Sequence, residues 1–285
     1  MSSNKISYPN IKIHLLNYKK LCFNKFKYIK EKKRFLYTQL SFPLASSFFI
    51  ALLFSELKFF RAKLFTAKYQ NFNFSKNMIQ ETVYPSYYQK KYDFNFMDSF
   101  SLNFDIWSKF FKDYDLIDKK INYLEIGCFE GRSSVFVLEK LKNAYCYFVD
   151  PFIENDEMTK STNQRNYKLI YENFKSNVLQ HKPRYEIHKT TSDNFFEELE
   201  KSVKFNLIYI DGSHFAEDVY RDAVNADTFL EIDGFIIFDD FFWSWYPNLQ
   251  DNPFFGICKF LNENKKNYKI IYLGDQLIIK KINLL

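Results

Sequence analysis

The sequence predicts an α/β fold in which a doubly wound, mainly parallel seven-stranded sheet ends in an antiparallel hairpin. From about residue 105 onward, short apolar runs of strand length alternate with segments that have helical periodicity. Five such alternations are typical of a parallel sheet that is covered by helices on both faces. The last two apolar runs are joined by only Gly274 and Asp275, and a two-residue connection of this kind favours a tight antiparallel turn.

The individual elements are predicted from the spacing of apolar residues. An amphipathic helix comes first, over residues 105–118, because Ile106, Phe110 and Tyr114 recur at helical spacing. Seven short apolar runs are the predicted strands: 122–126, 145–149, 185–189, 205–210, 234–238, 268–273 and 276–281. Segments with one apolar face are the predicted helices between them: 132–141, 164–179, 193–201, 215–230 and 252–264. This order of elements indicates a Rossmann-like domain over residues 99–285.

The composition describes a globular chain that is unusually poor in glycine. Hydrophobic residues make up 47% of the 285 residues, which excludes a disordered chain. There are 6 glycines, where an ordinary composition would give about 20, and all six lie beyond residue 126. The 4 cysteines form no C-x-x-C pair, so neither a zinc ribbon nor a disulfide framework is indicated. A reducing, cytoplasmic location is the simpler interpretation.

The charge divides the chain into two parts. Residues 1–98 hold 17 basic and 5 acidic side chains, whereas residues 99–285 hold 23 basic and 29 acidic ones. We therefore predict a mostly helical, basic and aromatic N-terminal extension over 1–98. A basic extension can contact an acidic surface, nucleic acid or anionic lipid, and it can equally be a solvated lysine-rich face.

An uncharged run at residues 35–55 lies within this basic part and is flanked by lysine and arginine on both sides. Its length suits a membrane span, but polar residues and Pro43 dilute it. Three interpretations stay open: a span, an interfacial or partner-binding helix that touches a membrane peripherally, and a buried helical hairpin broken near Pro43. A cleavable signal is disfavoured because the run starts far from Met1.

A first group of candidate site residues follows the carboxyl ends of the first three predicted strands. Ligands of open parallel sheets bind at this edge. Glu125, Gly127 and Gly131 lie at the first strand end, Asp150 at the second and Ser192 at the third. A glycine turn lets the backbone approach a nucleoside, and a carboxylate can accept from both ribose hydroxyls. The G-x-x-x-G spacing lacks the pattern that seats a pyrophosphate, and the acidic residue before it suits a cationic ligand such as S-adenosylmethionine.

Several segments together resemble a known family. YLEIGCFEGRSSVFVLEKL, YFVDPF and FNLIYIDGSHFAEDVYRDAVNADTFLEIDGFIIFDDFFW are similar, in this order, to class I S-adenosylmethionine-dependent methyltransferases of the small "methyltransferase domain" family. The resemblance covers about residues 100–285. It implies that Glu125, Gly127 and Gly131 line the methionine end of the cofactor, that Asp150 holds the ribose, and that Ser192 lies near the adenine. The remaining cofactor-binding residues that it implies are Arg132, Ser133 and Asp211.

A second group follows the fourth and fifth predicted strands, which such a fold places side by side. Asp211 and His214 follow the fourth strand, and Asp239 and Asp240 end the fifth. Histidine is suited to remove the proton of an acceptor hydroxyl, so His214 is the candidate general base, with Asp211 as its catalytic partner. Carboxylates at these strand ends resemble the divalent-metal site of catechol-type and certain sugar O-methyltransferases. We therefore expect Asp211, Asp239 and Asp240 to bind Mg²⁺.

These residues predict an O-methyltransferase that acts on a small-molecule or glycan hydroxyl. The segment after the fourth strand lacks the Asn/Asp-Pro-Pro-Tyr/Phe element of base-directed enzymes, so nucleic acid is disfavoured as the acceptor. The aromatic run at 241–246 predicts a wall over the acceptor, or else core packing. Two alternatives remain: a non-catalytic binding or scaffold protein, and an RNA-associated methyltransferase that uses the basic extension. The acceptor and the oligomeric state are left open.

Overall fold

The structure is a computed structural model that describes residues 91–96, 98–153, 166–243, 246 and 248–282. The predicted extension lies almost wholly outside the described residues, as does the uncharged run at 35–55. Among the residues that the structure describes, no helix has the length and apolar character that crossing a membrane requires.

Seven strands form a single sheet in the spatial order β3-β2-β1-β4-β5-β7-β6. The strands are β1 Ile121–Ile126, β2 Ala144–Val149, β3 Tyr185–His188, β4 Phe205–Ile210, β5 Leu230–Phe238, β6 Tyr268–Leu273 and β7 Leu277–Lys281. Strands β1 to β5 pair in parallel, and β7 pairs antiparallel with both β5 and β6. The predicted fold class is confirmed.

Six α-helices accompany the sheet in the described residues. They are α1 Phe104–Asp113, α2 Arg132–Lys140, α3 Tyr167–Val178, α4 Ser192–Glu198, α5 Ala216–Phe229 and α6 Pro253–Glu263. Short 3-10 helices occur at Ser101–Asn103, Leu179–His181 and Leu249–Asp251. Helix α1 buries Phe104, Trp107 and Phe111 in the aromatic core, where the Phe104 ring stacks on Phe136 of α2 at 4.6 Å between centroids. The lead-in helix therefore belongs to the core of the domain.

Helices α5 and α6 approach each other closely at a glycine. A Cβ added to Gly256 would lie 2.0 Å from the carbonyl oxygen of Ala216. Any larger residue would therefore push the two helices apart. This contact is the packing reason for a glycine at position 256.

Some predicted boundaries were wrong. Strand β5 begins at Leu230, where 234 was predicted, because Leu230 already pairs with Phe205 before a register shift in the ladder. Helix α1 ends at Asp113, where 118 was predicted, since Asp115 has a left-handed backbone with φ 52° that stops the helix. Three residues join β6 to β7, where two were predicted, because Gln276 lies in the turn.

The strand order places the candidate residues at one edge of the sheet. Strand β1 pairs with β2 on one side and β4 on the other, so the strand order reverses at β1. The carboxyl ends of β1, β2, β4 and β5 are consequently adjacent. A crevice at such a reversal is where open α/β sheets bind their ligands.

Candidate functional site

The turn after β1 lies directly against the end of β4. The Asp211 amide donates to the carbonyl of Ile126 at 2.8 Å, which continues the ladder past both strands. Gly127 has φ +86°, and a Cβ at this position would lie 2.0 Å from the Asp211 carbonyl oxygen. Glycine is required here both by the left-handed backbone and by the space. The glycine turn and the second candidate group are therefore adjacent at the same edge of the sheet.

Asp150 holds the glycine turn from the end of β2. Its Oδ2 accepts from the backbone amides of Cys128 at 2.8 Å and Phe129 at 3.0 Å, and its Oδ1 accepts from the Phe152 amide at 2.7 Å. Burial raises the pKa of this carboxyl, and the three amides act in the opposite direction. The carboxylate predicted to bind a ribose thus also fixes the backbone of the turn.

Glu125 lies inside the sheet-helix core at 0% exposure. The hydroxyl of Ser133 donates to its Oε1, and the Tyr123 hydroxyl donates to its Oε2 at 3.1 Å. Burial raises the pKa of Glu125 from its ordinary 4.5 to about 7, although the hydroxyl donors partly oppose the rise. Glu125 therefore joins β1 to the first turn of α2 through buried hydrogen bonds.

This pKa makes stability depend on pH through Glu125. Because the folded-state pKa lies above that of the unfolded chain, stability is lost as the pH rises from about 4.5 through 7. The loss is on the order of 3 kcal/mol. We expect Glu125→Gln to remove this loss. The melting temperature of the variant, relative to that of the wild type and measured without ligand, should therefore rise by several degrees between pH 5 and pH 8. Glu231→Gln, at an exposed position of β5, is the matched control. A difference between Glu125→Gln and wild type that stays constant with pH would contradict the expectation.

Three further residues of the predicted cofactor set have partners within the chain. Ser133 donates to Glu125, as described. The Arg132 guanidinium bonds the Asp98 carboxylate at 3.4 Å and the Phe96 carbonyl at 3.3 Å. Ser192 is the first residue of α4, while the N-cap is Thr191, whose hydroxyl accepts from the Asn194 amide at 3.3 Å. Ser192 also hydrogen-bonds the carboxyl of Asp222. Burial raises the pKa of this carboxyl to about 7.

The second group brings together an imidazole and two carboxylates. His214 Nε2 lies 2.7 Å from Asp240 Oδ2, and Asp211 completes a set whose candidate ligand atoms all lie within 4.8 Å of one another. The side chains of His214 and Asp240 are 20% and 39% exposed, so the pair faces the open edge of the sheet. This geometry suits a histidine base that is oriented by a carboxylate.

Asp239 has a different environment from Asp240. The Tyr209 hydroxyl lies 2.7 Å from Asp239 Oδ2 and 3.0 Å from Asp211 Oδ2, so its single proton can serve one carboxylate at a time. In the core near this hydroxyl, Trp107 Nε1 donates to Gln276 Oε1 at 2.7 Å. Asp239 therefore belongs to a buried hydrogen-bond network beneath the group of Asp211, His214 and Asp240. The expectation from the sequence was that Asp211, Asp239 and Asp240 bind one cation together.

The donor set and its electrostatics fit a divalent cation. Burial raises the pKa of Asp211 well above its usual range, and the nearby Asp239 and Asp240 carboxylates raise it further. Burial and Asp240 raise the pKa of Asp239 to about 6. A positive charge bound among these carboxylates would stabilise their ionised forms. Carboxylate oxygens suit Mg²⁺ or Mn²⁺, and an imidazole is accepted more readily by first-row transition metals.

The aromatic run after β5 divides between core and site. Phe241 and Phe242 are buried and contact Phe254 of α6. Trp243 lies beside the His214 imidazole, with ring centroids 4.7 Å apart, and Tyr246 stacks on Phe215 at 4.3 Å. Trp243 therefore lies at the second candidate group with Tyr246 next to it, while the first two phenylalanines pack in the core. That these rings form a wall over the acceptor stays a prediction.

Comparison with known families gives a match over residues 124–241 to the family described as Methyltransferase domain. The match runs from β1 to the residue after Asp240, so it spans both candidate groups. The matched segment therefore contains the glycine turn, Asp150 and the group of Asp211, His214 and Asp240.

Solved structures with a similar arrangement are distant in sequence. The O-methyltransferase TomG from Streptomyces achromogenes, solved with S-adenosylmethionine, has 11% identity and a TM-score of 0.48, covering 66% of this chain and 82% of its own. An O-methyltransferase from Bacillus cereus, solved with S-adenosylhomocysteine, has 15% identity and a TM-score of 0.46 over 65% and 83%. MycE of mycinamycin biosynthesis, with Mg, S-adenosylhomocysteine and mycinamycin VI, has 14% identity and a TM-score of 0.45 over 67% and 51%. No curated protein matches.

The sequence pattern missed two features of the segment that matches the family. Tyr209 was assigned only to a strand, although its position two residues before Asp211 places both side chains on one face of β4. Glu130, at 1% exposure, was passed over inside the glycine turn. Its partners come from residues 95, 96 and 173, which are distant in sequence, and no local pattern signals them.

Proposed function

We propose that this protein is an S-adenosylmethionine-dependent O-methyltransferase that acts on a hydroxyl of a small molecule or glycan. The observation that carries the proposal is the contact between the two groups of candidate residues. The Gly127 turn lies against the backbone of Asp211, three residues from His214. A donor held at the turn and an acceptor held at His214 would be neighbours. Methyl transfer requires that proximity.

The cofactor would be held by the glycine turn and the acidic strand ends. Gly127 and Gly131 allow its close approach, and Asp150 has carboxylate oxygens at the end of β2 for the ribose hydroxyls. Ser192, at the start of α4, is assigned to the adenine side. When bound, S-adenosylmethionine supplies an electrophilic methyl group on a sulfonium.

The acceptor chemistry is assigned to His214 and its neighbours. His214 would take the proton of the acceptor hydroxyl, and Asp240 orients the imidazole through the 2.7 Å hydrogen bond. The methyl group would pass from the sulfonium to the acceptor oxygen as its bond to sulfur breaks, which would leave S-adenosylhomocysteine. Trp243 covers one side of the imidazole and presents an aromatic surface to a sugar or aromatic ring. A divalent cation would be held by Asp211 and Asp240, and it would lower the pKa of the acceptor hydroxyl.

Metal removal tests the cation. We expect that dialysis of the full-length protein against EDTA lowers the rate of methyl transfer to hydroxyl acceptors at least 10-fold, and that Mg²⁺ or Mn²⁺ restores it. The measurement is transfer of label from S-adenosylmethionine to a panel of polyhydroxylated aromatic compounds and glycosides. Asp240→Asn should lose the activation, while Asp233→Asn, at an exposed position of β5, should keep it.

Three results, from this experiment and from parallel assays with amine acceptors and S-adenosylhomocysteine, would each overturn a different part of the proposal. Full activity after EDTA treatment would remove the cation. Transfer to amine-only analogues without transfer to hydroxyls would overturn O-methylation. A wild-type protein that fails to bind S-adenosylhomocysteine would overturn the methyltransferase function itself.

A further inference from the structure

Residues 91–96 and 98, here called the strap, lie against the glycine turn and the helices beside it. The strap precedes the segment that matches the methyltransferase family by more than 25 residues. Residues 94–96 and 98 contact Phe129 and Glu130 in the turn and Arg132 at the start of α2. Residues 91–93 contact α2, α3 and His181.

The central contact is a buried carboxylate that is shared between the strap and the turn. Glu130 Oε1 accepts from the Asn95 amide at 3.0 Å, and its Oε2 accepts from the Phe96 amide at 3.0 Å. Asn173 of α3 donates to the same Oε1 at 2.9 Å. A carboxylate at 1% exposure needs such donors, because an unpaired buried charge is costly. Two of these three donors are backbone amides of the strap.

A second residue of α3 ties the strap to the backbone of the turn. The Asn177 side-chain amide donates to the Glu130 carbonyl at 2.8 Å and to the Asp93 carbonyl at 3.2 Å. Its Oδ1 accepts from the Asp93 amide at 2.6 Å. The buried side chain of Asn177 therefore hydrogen-bonds the backbone of both the strap and the turn.

Aromatic and cationic contacts complete the attachment. The Phe96 ring meets the Phe129 ring edge-on at 5.5 Å, and Phe129 has φ 50°. The Arg132 guanidinium lies 4.1 Å from the centre of the Phe94 ring while it bonds Asp98 and the Phe96 carbonyl. The turn is thus held by Asp150 from the end of β2 and by the strap.

We propose that the strap stabilises the cofactor site, and that Glu130 is a positioning residue that holds the Gly127–Gly131 turn in its binding conformation. The inference rests on the proposed function, because it takes that turn to be where S-adenosylmethionine binds. Glu130 acts through the backbone of the turn. Loss of its contacts should weaken cofactor binding and leave acceptor binding unchanged.

The test is titration of S-adenosylhomocysteine into the full-length wild type and Glu130→Gln, followed by isothermal calorimetry. The amide of glutamine cannot accept at both ends, so one strap donor loses its partner. We expect the Kd for S-adenosylhomocysteine to rise about 10-fold or more. The KM for S-adenosylmethionine should rise with it, while the KM for the acceptor stays at the wild-type value. Glu172→Gln, an exposed carboxylate on α3, is the matched control.

Phe94→Ala provides a second variant, because Phe94 is half-buried on the strap and its removal leaves the turn intact. We expect it to raise the same Kd 2- to 5-fold. Wild-type Kd values in both variants would overturn the proposal, as would a melting temperature that falls while the Kd for S-adenosylhomocysteine is unchanged. An equal rise in the KM of cofactor and acceptor would also overturn it. If the wild type itself binds no S-adenosylhomocysteine, the proposed function fails before the strap is tested.

Discussion

Gly127→Ala is expected to abolish binding of S-adenosylhomocysteine, with a Kd raised at least 100-fold, and to lower the melting temperature by several degrees. The added Cβ would lie 2.0 Å from the Asp211 carbonyl oxygen, a distance that atoms cannot adopt, and φ +86° disfavours alanine in addition. The backbone must shift at the junction of β1 and β4. Because this junction joins the cofactor turn to Asp211, both groups of the site should be displaced together.

Gly274→Ala is the matched control for this substitution. Its added Cβ would meet the far end of the Tyr272 side chain, which can move, and the residue lies in the turn between β6 and β7. We expect near wild-type affinity and stability for this variant. Calorimetric titration and thermal unfolding measure both variants. Wild-type binding by Gly127→Ala would show that the turn does not hold the cofactor.

His214→Ala is expected to lower kcat for methyl transfer by 10² to 10⁴-fold, while the Kd for S-adenosylhomocysteine stays within 3-fold of wild type. The imidazole is the proposed base and lies 2.7 Å from Asp240, and its removal leaves the glycine turn untouched. His188→Gln is the control, since His188 lies at the end of β3 and stacks on Tyr147 at 6.1 Å.

Titration with Mn²⁺ separates the two roles that His214 could have. A base that is not a ligand leaves the affinity for Mn²⁺ unchanged in His214→Ala. A fall in Mn²⁺ affinity that parallels the fall in kcat would assign His214 to the metal and overturn its role as the base. Undiminished kcat would overturn both roles.

Local patterns in the sequence were sufficient for the fold. Runs of five or six residues, most of them followed by Gly, Asp or a polar turn, located all seven strands, because burial on both faces of a parallel sheet favours continuous apolar segments. Boundaries were less well predicted. Leu230 and the residues after it read as the end of a helix, yet Leu230 pairs with Phe205 across the sheet, and such pairing depends on a distant segment.

The candidate site shows the same division. The residues that meet at the edge were named from strand ends alone, since parallel strands bring their carboxyl ends together. Their individual contacts could not be read in this way. Asp239 and Asp240 were treated as equivalent ligands, but neighbouring residues at a strand end face opposite sides. Asp239 turns to Tyr209, and Asp240, with φ 51°, turns to His214.

Local features of the chain were enough to predict the order of strands and helices, the glycine turn and the acidic residues that end the strands. These depend on local periodicity and on the conformations that glycine alone adopts readily. The contacts between distant segments emerged only in the folded chain: Gly256 packs against Ala216, the Tyr209 hydroxyl lies between two carboxylates, and Glu130 bonds the strap. Close packing and buried hydrogen bonds join residues that are far apart in sequence, so only the folded chain brings their partners together.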